Sequence, residues 1–443
     1  MSERKKITIV GGGFAGVNSA ILLSEKGFDV TLVESRKFLG GRVNSFQKGE
    51  DFFDNGQHLM LACYEETLKL FEKLGTTHLL KFYSKLEIDF YNSQTALKNT
   101  LSCPKLPAPF HLVSGILGIS NLDFQTKFRM LLSGIGLLRK NKNLDEISIS
   151  QWLQENFQNQ KSIELFWKPI ASAIMNFPIE KSSALVWENV LKTAFFNCYE
   201  NTLWVLPKTN YQALFYKPAL GLLEKLNCKV LLRKPVYKIS KKNEKFEIDL
   251  KGKAKLESDL LLLTIPNWKI ASILSEELLE NSFFQNIREL KHSSILDATL
   301  IFEKPLWEKD FCAFYGGFLQ WAFNKRRIWN LKSGDRISIT FSHSQDLGKI
   351  SNEEVIKKSL VELRNCFPEL IDNKLLDFVI VRENKATFSP FLGQNEFRLS
   401  QKTPIENLFL AGDWTNTGFP STIEGAVVSG SKAVQEILKS QKK

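Results

Sequence analysis

The sequence contains no Cys-x-x-Cys pair, although it has six cysteines in 443 residues. This absence excludes the common dithiol and zinc motifs and favours a chain kept reduced in the cytoplasm. No run of 18 apolar residues occurs, so we expect no membrane-spanning helix. The first six residues run directly into a strand and leave no space for a secretory signal, which supports the same location.

Nucleic-acid motifs are also missing, although the chain is basic, with 59 Lys and Arg against 48 Asp and Glu. The densest cluster, Lys238–Lys245, lies between two strand-like runs and is predicted to be a solvated hairpin tip. We therefore expect no nucleic-acid partner. The net charge of +11 also suits an anionic membrane surface.

Phenylalanine is abundant, with 34 copies against 8 Tyr and 9 Trp. These side chains either fill the core or line a pocket for a long apolar substrate. The composition is typical of a globular protein, and the length is too great for a single hydrophobic core. Two or more structural units are therefore expected.

A glycine-rich turn follows the first apolar run, Ile7–Val10, and opens a predicted helix over 14–26. A second strand, Val30–Glu34, completes a βαβ unit. In such a turn the glycines allow a tight bend, close approach of a pyrophosphate and helix packing, and the helix start presents free N–H groups to phosphate. The candidate residues are Gly11, Gly13, Phe14, Ala15 and Gly16.

The acidic residue that ends the second strand indicates which dinucleotide binds. Glu34, with the adjoining Ser35, stands where a carboxylate takes ribose hydroxyls, and a carboxylate there disfavours the 2′-phosphate of NADP. NAD and FAD remain. Downstream, Gly40-Gly41-Arg42 fits a loop that runs along the dinucleotide, with Arg42 able to reach phosphate or flavin.

A third element lies near the C-terminus and favours FAD. Asp413, after Gly412, is a candidate for the ribitol hydroxyls, and the N–H groups of Gly425 and Ala426 at a helix start are expected to point at the flavin. No cysteine occurs in 411–426, so we expect non-covalent FAD. Only one complete Gly-x-Gly-x-x-Gly is present, which predicts an external electron donor.

These signals are separated in sequence, so we expect an α/β fold: a Rossmann-like FAD-binding domain of the glutathione-reductase type with an intercalated α+β substrate domain. The FAD-binding domain is predicted to combine 1–75, 211–275 and 396–443. The substrate domain combines 76–210 and 276–395, with a helical lid around 106–140. Basic residues including Arg139 and Lys140 flank the lid, which suits either a lipid-surface helix or an ordinary packed lid.

The three elements together resemble the flavin amine oxidase and phytoene desaturase superfamily, in which Val236 falls at a backbone contact to adenine. A closer resemblance is to the squalene-associated FAD-dependent desaturases, the hydroxysqualene dehydroxylases. It spans nearly the whole chain and rests most specifically on two runs, Asp54-Asn55-Gly56-Gln57-His58 and Asp413-Trp414-Thr415-Asn416-Thr417-Gly418. Gln320-Trp321-Ala322-Phe323 and 106–112 are similar too. Asn324 departs from the pattern because an acidic residue is expected there, and 197–210 holds a reduced version of the family's loop.

The resemblance implies reduction of hydroxysqualene to squalene on the route to hopanoids, with a long apolar isoprenoid substrate. His58 is then a candidate proton donor or a structural histidine beside the cofactor, Gln57 orients flavin or hydroxyl, and Gly56 contacts the cofactor. We expect no metal site. Peripheral membrane contact at the cytoplasmic face is expected, because the substrate is derived from lipid. A carotenoid or phytoene-type desaturase, a flavin amine oxidase and a non-catalytic flavin-binding protein are the alternatives.

Overall fold

A five-stranded parallel sheet combines strands from the N-terminal, middle and C-terminal parts of the chain. The structure, a computed structural model, describes residues 4–137, 143–305, 307–332 and 335–442. The strand order is β10-β2-β1-β14-β20. The four leucines of β14 are all buried, as predicted for a strand covered on both faces. The strands are β1 (Lys6–Val10), β2 (Asp29–Val33), β10 (Lys229–Leu231), β14 (Leu260–Leu263) and β20 (Leu408–Leu410).

Two helices from opposite ends of the chain pack on this sheet and on each other. The Cβ of an alanine at position 430 would lie 2.7 Å from the carbonyl oxygen of Ala15, so a glycine is needed where the two helices touch. This contact brings the first glycine-rich turn beside the start of the C-terminal helix. The helices of this part are α1 (Phe14–Glu25), α2 (Glu65–Lys73), α9 (Lys217–Lys225) and α14 (Ile423–Ser440).

Three smaller β structures surround the parallel sheet. The first is an antiparallel sheet in which β11 and β12 form a hairpin, as predicted, but only Asn243 and Glu244 lie in its turn, and the rest of the Lys238–Lys245 cluster lies on the two strands. The other two are a hairpin, β3–β4, and the sheet β5-β9-β6. The strands are β3 (Ser45–Lys48), β4 (Asp51–Asp54), β5 (Met60–Leu61), β6 (Leu80–Phe82), β9 (Trp204–Pro207), β11 (Val236–Lys242), β12 (Lys245–Leu250) and β13 (Lys255–Ser258).

A seven-stranded mixed sheet forms the second main layer, in the order β19-β15-β18-β17-β16-β7-β8. Its strands are β7 (Leu86–Asn92), β8 (Lys98–Cys103), β15 (His292–Phe302), β16 (Phe311–Tyr315), β17 (Trp321–Asn324), β18 (Asp335–Ser342) and β19 (Leu375–Phe388). Two helices accompany it, α12 (Lys325–Ile328) and α13 (Asn352–Cys366). Three other short helical segments pack with the parallel sheet and with β11–β12: α10 (Asn267–Ile270), α11 (Glu276–Leu279) and the 3₁₀ segment Ser282–Arg288. The expected α/β class is confirmed, whereas the predicted domain boundaries stay predictions.

The helical part between β8 and β9 contains α3 and α4 in the region where a lid is predicted; we call them the lid helices, and their action as a lid stays a prediction. These helices are α3 (Phe110–Gly118), α4 (Phe124–Gly136), α5 (Ile149–Glu155), α6 (Gln160–Ser162), α7 (Lys168–Met175) and α8 (Ala184–Phe195), with a π-helical turn at Ile163–Trp167. The predicted basic residues Arg139 and Lys140 lie outside the described residues. Within the described ranges, no helix combines the length and the hydropathy needed to cross a bilayer.

Candidate functional site

The turn between β1 and α1 has the geometry that a pyrophosphate needs. Gly11 has φ +116°, a conformation that side chains with a Cβ rarely adopt. A Cβ on Gly16 would lie 1.9 Å from the carbonyl oxygen of Gly11, so only glycine allows the helix to begin here. The helix starts at Gly13 without a side-chain cap and without an acidic residue in its first turn. Its first N–H groups and its dipole are therefore available to an anion. Phe14 and Ala15 lie buried behind the turn, where Phe14 stacks on Phe215.

The carboxylate of Glu34 is held at the same turn. It accepts hydrogen bonds from the backbone N–H of Gly12 at 2.7 Å, from the Ser35 hydroxyl at 2.9 Å and from the backbone N–H of Arg36 at 2.7 Å. This places it directly after β2, as predicted. The backbone N–H of Lys234 donates to the Glu34 carbonyl, which brings the start of β11 and Val236 to this edge of the sheet.

A second pair of glycines lies against the first turn. The backbone N–H of Gly40 donates to the carbonyl of Gly12 at 2.8 Å. A Cβ on Gly41 would approach the Gly13 Cα to 3.1 Å. The two glycine loops thus form one backbone-lined cradle that side chains would fill.

Arg42 and Asp413, which come from separate predicted elements, form an ion pair. Arg42 also donates to the carbonyl of Ala386 at 2.8 Å, and the Ser421 hydroxyl donates to the second oxygen of Asp413. Gly412 has φ +142°, and a Cβ there would meet the Trp414 ring at 2.5 Å. The ion pair therefore joins the Gly-Gly-Arg loop to the C-terminal motif. It also means that the charges of Arg42 and Asp413 are directed at each other.

The start of α14 differs from the expectation for Gly425 and Ala426. The N–H of Gly425 donates to the Thr422 hydroxyl at 3.0 Å, and the N–H of Ala426 donates to the Thr422 carbonyl at 3.1 Å. Both donors already have partners inside the first turn of the helix, so neither is free for the flavin contact predicted for it. The first-turn N–H groups of Ile423 and Glu424 are the ones that the helix start leaves for a ligand.

The Asp54–His58 run forms a loop between the cradle and the second main layer. The side-chain amide of Asn55 donates to the carbonyl of Arg42 at 2.7 Å, so this loop is attached to the glycine loops. A Cβ on Gly56 would meet open space, so this glycine is not needed for packing. The Gln57 side-chain oxygen is buried without a hydrogen-bond partner among the described residues.

His58 lies in the same loop, with its ring edge-to-face against Tyr211 at 5.3 Å. Burial lowers the pKa of His58 to about 4, although Asp54 acts in the opposite direction. The ring is therefore neutral near pH 7. An imidazolium is not available there as a ready proton donor, which weighs against that form of the predicted role.

A buried ion pair that the sequence did not suggest supports the loop. The Lys325 ammonium lies 2.9 Å from the Asp54 carboxylate, and both side chains are almost completely buried. Asn324 explains the position of Lys325, because its side-chain oxygen caps α12 by accepting from the N–H of Arg327. The departure at Asn324 from the family pattern is thus a helix cap. In the sequence, the one feature that marked Lys325 was its position next to Asn324, just after the Gln320–Phe323 run.

Two further polar groups near this loop were also missed. Tyr211 is buried, its hydroxyl has no partner among the described residues, and burial next to Asp54 raises its pKa well above the ordinary value. Asp297 on β15 accepts from the hydroxyls of Ser338 at 2.8 Å and Thr340 at 2.9 Å. Burial raises the pKa of Asp297. Neither residue belongs to a recognisable local motif.

An apolar cavity of about 110 Å³ lies under the lid. At 10–15 Å³ for each water, it has room for roughly seven to eleven water-sized groups, so it holds part of a long chain. Trp204 lines it, and β9 pairs with β5 so that Trp204 stands opposite Leu61, three residues from His58. The cavity is lined by Leu86, Ile88, Leu101, Pro109, Leu112, Val113, Ile116, Met130, Leu131, Ser133, Gly134, Phe166, Trp167, Ile170, Trp187, Leu191, Phe195, Phe196 and Trp204.

The residues present fit a flavin dinucleotide. The glycine cradle and the uncapped start of α1 suit a pyrophosphate, and Glu34 suits a ribose. The unpartnered Gln57 oxygen and Tyr211 hydroxyl are buried polar atoms that need a partner, which a flavin ring or a substrate hydroxyl would supply.

Comparisons with known proteins identify the family and the fold. The model of a family described as flavin containing amine oxidoreductase matches residues 14–438. The chain is 26% identical to a hydroxysqualene dehydroxylase of Sinorhizobium fredii over 98% of both chains. It is 25% identical to a zeta-carotene desaturase of Synechocystis sp., again over 98% of both. The fold matches that of a cyclohexylamine oxidase from Brevibacterium oxydans, with a TM-score of 0.72, 15% identity and full coverage of both chains.

Proposed function

The chain belongs to the family of flavin-containing amine oxidoreductases and is a flavin-dependent oxidoreductase, and we propose that it reduces hydroxysqualene to squalene with non-covalently held FAD. The Asp54–His58 run and the hydroxysqualene dehydroxylases among its relatives support this substrate. One complete dinucleotide motif supports an external electron donor that keeps the flavin reduced. We place the reaction in the cytoplasm.

The observation that carries the proposal is an apolar cavity close to a loop with unpartnered polar atoms. The cavity lining is almost entirely apolar, and β5 leads from Trp204 to the loop that holds Gln57. The buried oxygens of Gln57 and Tyr211 lack partners among the described residues. A hydrocarbon with one hydroxyl group satisfies both parts, because burying an unpaired polar atom costs free energy.

The proposed step breaks the C–O bond of the alcohol and forms a C–H bond, so that the alcohol, a hydride and a proton give squalene and water, and the proton would come from the fully reduced, two-hydrogen form of the flavin. Reduced FAD supplies the hydride when bound. The Tyr211 hydroxyl keeps its proton, because its pKa is raised well above 10, and it can donate a hydrogen bond to the leaving oxygen. Neutral His58 positions that hydroxyl through its ring contact, and Gln57 accepts from the substrate alcohol. The apolar lining excludes water from the cation that forms.

A carotenoid-type desaturase is the second candidate, because a zeta-carotene desaturase is as similar in sequence as the dehydroxylase. An alcohol can pair with the Gln57 and Tyr211 oxygens, whereas with a hydrocarbon substrate only the flavin could pair with them, which favours the alcohol. An amine oxidase is disfavoured. The carboxylate of the Asp54–His58 loop is Asp54, and Lys325 neutralises its charge, so it is not available to a positively charged amine.

The test is an anaerobic panel with hydroxysqualene, phytoene and aliphatic amines, each added separately to reduced and to oxidised enzyme. Flavin absorbance and product analysis are the readouts. We expect flavin oxidation and squalene only from reduced enzyme with hydroxysqualene. Reduction of the oxidised flavin by phytoene or an amine, with no response to hydroxysqualene, would replace the proposal by one of the other functions.

A further inference from the structure

The two lid helices have one face toward the cavity and another toward solvent. The inner face contributes Pro109, Leu112, Val113 and Ile116 from the α3 region and Met130 and Leu131 from α4 to the cavity lining. The outer face exposes Phe110, Leu117, Phe124 and Phe128. Residues 110 and 117 are two turns apart, and 124 and 128 are one turn apart, so each pair lies on one side of its helix.

The exposure of this outer face is large for a folded protein. The relative exposure is 75% for Phe124, 63% for Phe110 and 52% for Phe128. Leu106, just before α3, is exposed too. Five of the thirteen exposed large hydrophobic residues in the described ranges lie within 106–128. Single exposed apolar residues are ordinary, but such a concentration marks a contact surface.

The charges around the face are basic. Asp123, the acidic residue of α3, α4 and the turn between them, caps α4 through the N–H of Thr126 and pairs with Lys161 at 3.0 Å. Lys105 lies 3.8 Å from Glu200. Lys127 and Arg129 on α4 then contribute uncompensated positive charge beside Phe124 and Phe128, since their hydrogen bonds go to the carbonyls of Leu117 and Phe157.

We propose that the outer face of the lid docks on an anionic phospholipid bilayer, with the exposed Phe and Leu side chains entering the interface. Large apolar groups flanked by Lys and Arg are what such a surface binds. The chain's net charge of +11 adds attraction at longer range. A second copy of the chain is a poorer occupant, because it would bring the same positive charges together.

Docking of the lid on the membrane also accounts for how the apolar isoprenoid substrate reaches the cavity. This part of the inference rests on the proposed function. The helices that touch the bilayer are the ones that line the cavity, so a lipid-soluble substrate passes from the membrane beneath them without crossing water. The cavity holds only part of such a chain, so the lid helices move apart when the substrate enters.

Vesicle co-sedimentation of the purified, flavin-loaded protein tests the docking without any substrate. The vesicles contain phosphatidylcholine with one quarter phosphatidylglycerol, or phosphatidylcholine alone. We expect binding to the anionic vesicles that weakens several-fold in 0.5 M salt and on neutral vesicles. The variant Phe124→Ser/Phe128→Ser should bind at least about tenfold more weakly. The matched control is Val361→Ser/Ile371→Ser, which removes two residues that are each 63% exposed elsewhere, and it should bind within twofold of wild type.

Two results would overturn the docking: wild type that stays in the supernatant at low salt, or a Phe variant that binds as wild type does. Sedimentation equilibrium tests whether a second copy of the chain occupies this face instead. A dimer that the Phe substitutions abolish would show that the face is a self-association surface. Thermal unfolding confirms that the variants fold. Turnover is then compared for hydroxysqualene carried in vesicles and hydroxysqualene dispersed in detergent. The Phe variant should lose activity on the vesicle-borne substrate and keep it on the detergent-dispersed substrate. If hydroxysqualene is not a substrate, this comparison is blank while vesicle binding still decides the docking.

Discussion

The ammonium group of Lys325 lies 2.9 Å from the carboxylate of Asp54, with both side chains buried. The contact joins two runs that are far apart in sequence, because Asp54 begins the loop with Gln57 and His58, and Lys325 follows the strand with Trp321. Asp54 also accepts from the Ser45 hydroxyl at 2.5 Å, and Ser45 accepts from the N–H of Tyr211 at 2.7 Å. The pair therefore holds the candidate catalytic loop against the sheet of the second layer.

Replacing Lys325 by Met should destabilise the protein by about 3–5 kcal/mol, because it leaves the Asp54 carboxylate buried without a partner. The double variant Asp54→Asn/Lys325→Met should recover most of this loss. Lys48→Met is the control, since it breaks an exposed pair with Asp377 and should cost less than about 1 kcal/mol. Urea unfolding measures all three, and equal losses for Lys325→Met and Lys48→Met would contradict the role of the buried pair.

The buried His58 ring predicts a pH dependence of stability. Its pKa falls from 6.5 to about 4 on folding, so between these values the unfolded chain binds a proton that the folded chain does not. Stability is therefore lost as the pH falls from about 6.5 to about 4, by up to about 3 kcal/mol from this group. Over the same pH range, the His58→Asn variant should lose up to about 3 kcal/mol less stability than the wild type. His292, whose pKa is also lowered to about 4, remains in both proteins, so their difference isolates His58. Identical pH profiles would show that His58 is solvated.

Gly16→Ala should abolish flavin binding, because its Cβ would overlap the carbonyl oxygen of Gly11 and displace the start of α1. Flavin absorbance per protein should fall at least about tenfold. Gly221→Ala on α9 is the control, since its Cβ meets no atom within 4 Å. It should keep the flavin and gain roughly 0.5–1 kcal/mol of stability. A Gly16→Ala protein with full flavin content would place the cofactor elsewhere.

Gly134→Leu should obstruct the cavity under the lid. A Cβ at this position lies 3.6 Å from the Phe196 ring, so a leucine side chain enters the cavity. We expect KM for the isoprenoid alcohol to rise about tenfold, which corresponds to about 1.4 kcal/mol, with unchanged flavin content. Gly118→Leu at the end of α3 should leave KM unchanged, because its Cβ points into open space. An unaltered KM for Gly134→Leu would mean that the substrate bypasses this cavity.

Sequence alone predicts the parts of the site whose signal is local. Gly11 occupies a backbone bend, and Gly16 lies where the helix starts close to the turn. Both positions require glycine, so both can be recognised in the sequence. Glu34 lies where its strand position required. Lys325 could not be found in this way, since its partner is 271 positions away and a lysine in a short helix has no distinctive pattern. Tyr211 is inconspicuous for the same reason.

Gly425 and Ala426 show a different limit of the sequence. The motif correctly indicates a helix start near the C-terminal element, but it does not say which donors the cap itself consumes. Thr422 takes the N–H groups of both residues, one through its hydroxyl and one through its carbonyl. Which N–H groups of this helix start remain for a ligand therefore depends on the hydrogen bonds of the cap, which composition and spacing do not contain.

The central claim is that this flavoprotein delivers reducing equivalents to an allylic isoprenoid alcohol, and an anaerobic single turnover tests it most directly. Reduced enzyme is mixed with hydroxysqualene, while flavin reoxidation is followed by absorbance and squalene is quantified. We predict one squalene formed for each flavin reoxidised. Unchanged reduced flavin and no squalene, in protein that retains its flavin, would contradict the account.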